Sequence, residues 1–194
     1  MAKKQNNKLM DFIAEAGMLK RTARSGWAVL GVPDIESVAD HSFRCAVLGY
    51  VIARMEGADP YRVLLMALFN DIHEARIGDL HKMASTYVDL EAAEDRAFSG
   101  QISSLPKRIK NEMSRIRGEY RKQASPESLV ARDADILECL IQAKEYHSQG
   151  FKEAAKFMLK APRFLRTKTA KALWKTAKTM NPGAWWERLS EFKR

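Results

Sequence analysis

Apolar residues recur along this chain at the spacing of one helical face, and nowhere do they alternate with period two for long enough to make a strand. Leu9, Phe12, Ile13, Ala16 and Leu19 begin the pattern, with Gly17 as its weak point. Gly26 to Pro33 reads as a connector. Ser37 then stands where a helix cap is wanted, and a long helix runs from it to about Met55, closed by Glu56-Gly57. Asp59-Pro60 opens the next one, with Pro in its first turn and Val63, Leu64, Met66, Ala67 and Leu68 as its buried body. Periodicity carries this helix to about Arg76, and Gly78 stops it. Two more polar amphipathic helices are predicted over 87–104 and 106–122, parted by Pro106. Ser125-Pro126-Glu127 starts a helix that ends near Gln149-Gly150. A short helix near 151–159 follows, then one at about 163–180 cut off by Asn181-Pro182-Gly183, and a last turn through Trp185-Trp186. With no repeat and no dividing linker, the pattern predicts one all-α domain over 1–194.

Composition narrows the class. The 194 residues suffice to bury a core, and 46% hydrophobic content is too high for a disordered chain. No run of about 18 uncharged apolar residues is present to span a membrane. The N-terminus is basic but leads into an amphipathic stretch rather than an apolar signal core, so a cytoplasmic protein is expected. Cys45 and Cys139 lack CxxC spacing and are expected as reduced thiols. The net charge of +9 is unevenly spread: −6 over 34–99, against +5 over 100–124 and +7 over 161–194. Arg163, Arg166, Lys168, Lys171, Lys175 and Lys178 interleave with Phe164, Leu165, Leu173 and Trp174. Such a basic amphipathic segment either attracts nucleic acid or an acidic partner, or packs its aromatic side onto the domain; the second is the commoner case.

Candidate chemistry lies in the acidic stretch. His41 sits in Val-Ala-Asp-His-Ser, Asn70-Asp71 in Leu-Phe-Asn-Asp-Ile-His-Glu, and Asp135 in Arg-Asp-Ala-Asp-Ile-Leu, each in an apolar helical setting. Buried carboxylates are costly unless paired or bound to metal. A mixed nitrogen and oxygen set suits Mn, Fe, Co, Ni or Zn better than Ca. Glu74, one turn past Asn70, is placed to orient or deprotonate a bound water, or else to pair with Arg76 or Arg44. Asp133, two residues before Asp135, is expected to face away into solvent. Cys45 and Cys139 follow His41 and Asp135 by one turn; they read as small buried neighbours ahead of thiolate ligands.

The combination Glu36-Ser-Val-Ala-Asp-His41, Asn70-Asp71-x-x-Glu74, Gly78-Asp79 and Asp135 resembles the HD-domain phosphohydrolases, and within them the 5′-deoxynucleotidase branch that includes the bacterial YfbR-type enzymes. The resemblance covers about residues 18–150, leaving a basic helical extension over about 161–194. It implies a helical bundle around one divalent cation (Co, Mn, Ni, Zn, Fe or Mg), a homodimer or higher homo-oligomer, and release of phosphate from deoxynucleoside 5′-monophosphates. Related branches hydrolyse triphosphates. It also implies that His41, Asp71 and Asp135 are ligands, with Asn70 at the fourth place. Glu74 would assist the attacking water, and Asp79 would contact the sugar or the water network. Trp27 would orient the phosphate, and Leu80-His81-Lys82 would line the substrate. The bacterial enzymes carry an Arg just before that Trp. Here Gly26 stands there, so Arg21 or Arg24 must supply the guanidinium. Trp185-Trp186 offers itself for burial against a second subunit.

Asn70 is the departure, since the family has there the His of its name. An amide oxygen is a poorer donor than imidazole for borderline metals. His73, three residues on, is a candidate rescue ligand. A weak-affinity enzyme, a catalytically impaired nucleotide- or nucleic-acid-binding relative, and a sequence altered to silence turnover all fit the substitution.

Overall fold

The computed structural model describes residues 2–189, and every regular element in that range is helical. Met1 and residues 190–194, the end of the basic extension, lie outside the described residues. The helices are α1 (Ala2–Ala16), α2 (Ser25–Val29), α3 (Val38–Glu56), α4 (Pro60–Phe69), α5 (Glu74–Ile77), α6 (Leu90–Ile102), α7 (Lys107–Lys122), α8 (Pro126–Ser148), α9 (Ala155–Lys160), α10 (Lys168–Ala177) and α11 (Ala184–Leu189). The cap signals act as expected. Ser37 accepts from the Asp40 amide while Asp40 answers with the Ser37 amide, and Ser125 and Ser128 form the same reciprocal pair on α8. Pro60 occupies the first turn of α4, behind Asp59, which accepts from Tyr61 and Arg62.

Helix α8 is the axis of the fold. Val130, Ala131, Ala134, Leu137 and Leu140 are almost fully enclosed, packed with Ile52 and Ala53 of α3, Val63 and Met66 of α4, and Ile116 of α7. Helices α3 and α4 approach closely at Gly49, where an added Cβ would meet Val63 Cγ1 at 2.9 Å. A second cluster joins Leu19, Val38, Ile72, Phe98, Ile102, Leu105 and Met113.

The structure corrects several expectations. The connector at Gly26–Pro33 holds the short helix α2. The helix expected to reach Arg76 stops at Phe69. After it the backbone tightens into three-residue turns, with Glu74 N bonded to Asp71 O at 3.0 Å and Arg76 N to His73 O at 3.0 Å. Asp133 is fully buried, not solvated: its carboxylate accepts from the Arg166 amide, the Thr167 amide and the Thr167 hydroxyl. The basic extension is thereby tied into the core, with Leu165, Ala170 and Trp174 buried in the main cluster and the α10 lysines left at the surface.

Candidate metal centre

Four elements bring the site together. An isolated bridge between Ala23 and Ser37 lays the entry segment along the start of α3, with Arg24 N bonded to Glu36 O and Val38 N to Thr22 O. This places Arg24 inward and leaves Arg21 exposed. Helix α3 contributes His41 from its buried face, and α8 contributes Asp135 and Glu138. The tight turn after Phe69 aims Asp71 at His41.

His41 is 1% exposed and held from behind. Its Nδ1 lies 2.5 Å from Glu138 Oε2, and Glu138 is fixed in turn by Arg44 at 2.7–2.9 Å. On the other side, Nε2 faces Asp135 Oδ1 at 3.1 Å, Asp71 Oδ2 at 3.6 Å and Cys45 Sγ at 3.4 Å. Although burial opposes it, Cys45, Asp135 and Glu138 hold a proton on the ring and lift His41 well above its ordinary value; a cation would take that proton's place at Nε2, with Nδ1 donating to Glu138. A divalent ion in place of that proton would be held by the ring nitrogen and two carboxylate oxygens. The donor set therefore fits a divalent ion, and His41, Cys45 and Asp135 offer donor atoms within 4.8 Å of one another. Burial lifts the Asp71 carboxyl above its ordinary value despite His41 and Arg24. Burial works the same way on Asp135, but the His41 hydrogen bond and the charges of His41 and Arg24 hold it below.

Asn70 lines the same cavity as His41, Cys45, Asp71, Tyr120 and Asp135, and its Nδ2 donates to Asp71 Oδ1 at 2.7 Å. His73 does not come to the site. Its Nδ1 faces the Asn70 carbonyl oxygen at 3.1 Å and its Nε2 lies 3.8 Å from Glu94, so the tight turn rules it out as a rescue ligand. Burial and the Arg117 charge push its pKa down to about 4.

Glu74 is 8% exposed, and its Oε2 has no hydrogen-bond partner among the described residues. Arg76 pairs with Glu15 and Arg44 with Glu138 and Glu145, so neither takes up Glu74. Burial, then the Asp71 and Asp79 carboxylates, push Glu74 up to about 9. Gly78, at φ 73°, turns the chain after α5 and delivers Asp79. Asp79 Oδ2 accepts from the Ser25 amide at 2.8 Å, at the first turn of α2 rather than of the helix that follows it, and lies 3.7 Å from Arg24 Nη1. Arg24 Nη2 also reaches Cys139 Sγ at 3.4 Å. Trp27 is enclosed against Tyr146 and Phe157, with its indole N–H donating to Glu36 at 2.8 Å. Leu80 and Lys82 are exposed beside Asp79, and His81 is half-buried.

Glu138 was missed from the sequence; Glu36, which burial and Glu138 push up to about 7, opens the motif but was given no role there. Glu138 sits in an apolar run with no motif around it; its place three residues after Asp135, one helical turn on the same face, was the available signal.

The model of the HD domain family matches residues 16–176. The human 5′-deoxynucleotidase HDDC2 is 31% identical over 139 residues, covering 71% of this chain and 68% of the relative. A Pyrococcus horikoshii protein of known structure superposes with a TM-score of 0.75 at 30% identity, over 87% of this chain and 98% of its own. One from Pyrococcus furiosus gives 0.72 at 32% identity, over 88% and 99%. The chain thus belongs to the HD-domain family, in the branch that includes the human 5′-deoxynucleotidase HDDC2.

Proposed function

We propose that this protein is a divalent-metal-dependent phosphohydrolase that releases phosphate from deoxynucleoside 5′-monophosphates. One observation carries the reading: the carboxylate oxygens of Asp135 and Asp71 converge on the buried His41 Nε2 at 3.1 and 3.6 Å. His41, Asp71 and Asp135 would hold the cation. When bound, it supplies polarisation of a phosphate oxygen and a water acidic enough to ionise near neutral pH.

The remaining steps fall to side chains of this chain. Arg24, anchored by Asp79, presents a fixed guanidinium that binds and orients the phosphate. Lys82, at the rim, adds charge, and Leu80 and His81 provide a flank for the sugar and base. Glu74 Oε2, buried and unpartnered, is the atom that exchanges a proton with the attacking water. Asp79 holds Arg24 and the α2 backbone in register. Trp27 supports the site from its outer side through Glu36.

We further propose a homodimer, supported by the exposed apolar face of α3. No described helix is long and apolar enough to cross a membrane, and both cysteines are free thiols, which supports a cytoplasmic location.

The test is metal content with phosphate release from a panel of deoxynucleotides, for the parent chain and Asn70→His. Both are expected to release phosphate, the variant retaining metal about tenfold better. Release by the variant alone would make Asn70 the silencing change; release by neither overturns the reading.

A further inference from the structure

We propose that Cys45 is a ligand of this cation site, taking the coordination place that Asn70 leaves unfilled, and that the site thereby selects a thiophilic divalent ion such as Zn2+ or Co2+. This rests on reading the His41, Asp71 and Asp135 cluster as a cation site.

Cys45 lies one turn past His41 on the buried face of α3, and its Sγ is 3.4 Å from His41 Nε2, the nitrogen that faces the carboxylates. Metal bonds of about 2.3 Å to sulfur and about 2.0–2.1 Å to nitrogen put two ligands of one tetrahedral ion about 3.5 Å apart. Two oxygen or nitrogen ligands of one tetrahedral ion, at bonds of about 2.0–2.2 Å, come out about 3.3–3.6 Å apart. The observed 3.4 Å for sulfur, 3.1 Å for Asp135 and 3.6 Å for Asp71 lie within about 0.2 Å of this frame. Cys45 lines the same cavity as Asn70, Asp71 and Asp135. Among the described residues, the hydrogen-bond partner of Cys45 other than His41 is Ala134 O at 4.0 Å, too long to occupy the sulfur. Independently, the Oε2 of Glu74, near Asp71, is buried and has no hydrogen-bond partner among the described residues.

Asn70 has a different task. Its amide N–H is spent on Asp71 Oδ1 at 2.7 Å, which orients that carboxylate rather than the ion. Cys139 is no rival. It gathers with His41 and Glu138, but both Glu138 oxygens are already taken by His41 and Arg44, and the Arg24 cation points at the Cys139 sulfur. Thiolate favours Zn, and Co as its spectroscopic stand-in, over the oxygen-seeking Mg and Mn.

To test this, the full chain is stripped with a chelator, titrated with Co2+, and its bound cobalt counted. The expected result is one cobalt per chain with a thiolate-to-cobalt charge-transfer band in the near ultraviolet, displaced by Zn2+ and not by excess Mg2+. Cys45→Ser is expected to abolish the band and to weaken cobalt retention by more than the roughly 10–100-fold typical of losing an outer-shell partner. Cys139→Ser keeps both. Should Cys45→Ser fold poorly, the double variant Cys45→Ala with Asn70→His restores an imidazole and is expected to bind cobalt without the band. Cobalt bound by the parent without the band, or a band that survives either Cys45 variant, overturns Cys45 as ligand and leaves the cation site standing. Absence of bound cobalt in the parent overturns both.

Discussion

Glu74 holds its proton to about pH 9, whereas in the unfolded chain it would release it near 4.5. Between those values the folded state binds more protons than the unfolded state, so this residue lowers stability progressively as pH rises from 4.5 towards 9. Replacing it by neutral Gln removes that penalty. In metal-free protein, Glu74→Gln is expected to change stability by less than about 1 kcal/mol at about pH 5 and to raise it by up to about 5 kcal/mol at about pH 8. Thermal melts of chelator-treated protein at the two pH values measure this, and coincident gains at both would show that the carboxyl is not perturbed. The residues behind this effect were unequally legible. His41, Asp71, Glu74 and Asp135 could be picked out because acids in apolar helical runs are costly without a partner. Arg24 could not be separated from Arg21, because the bridge that turns it inward joins segments distant in periodicity. Cys45 reads from sequence as a small neighbour, and only its 3.4 Å approach to His41 Nε2 points further.

At the scale of elements, one buried carboxylate decides whether α10 belongs to the fold. Asp133 accepts from two backbone amides and a hydroxyl at the start of that helix, at 2.6–2.9 Å. Asp133→Ala leaves those donors buried without partners, each costing about 1–3 kcal/mol. The expected loss is about 3 kcal/mol by urea denaturation, accompanied by proteolytic cutting near Arg166; unchanged stability would mean that α10 docks through Trp174 and Leu165 alone. Sequence reading missed this because two residues along a helix normally means the opposite face. Asp135 points to the site and Asp133 into a second buried seam, since α8 is packed on nearly all sides. Boundaries failed for a related reason. Helix α4 was extended to Arg76 because a turn with three-residue bonds and a helix of 3.6 residues per turn diverge little over four residues. That small divergence re-aims Asp71 at His41 and turns His73 away. Long capped helices such as α3 and α8 were read almost to the residue, since their start signals are local side-chain chemistry.

At the scale of the whole molecule, the distribution of apolar surface is uneven. Helix α3 buries His41, Cys45 and Ile52 on its inner face, yet on the opposite face Phe43 is 70% exposed, Val47 48%, Tyr50 43% and Val51 44%. Tyr61 and Leu68 of α4 are also exposed, at 73% and 44%. Apolar surface of this kind is typical of interfaces, and the homodimer proposed above would set this stripe against the same stripe of a two-fold partner. The sequence also pointed to Trp185 and Trp186, which are 60% and 49% exposed. Two copies, each of net charge +9, repel at long range, so apolar contact must outweigh a screened electrostatic cost. Association is therefore expected to tighten as ionic strength rises, the reverse of an interface held by ion pairs. Light scattering on a sizing column should give a dimer for the parent chain and a monomer for Phe43→Asp combined with Val47→Asp. Because both side chains already face solvent in the single chain, the double variant should keep its helical content and its melting temperature at high dilution. A monomeric parent, or a dimer that loosens with added salt, would remove this face of α3 as the contact.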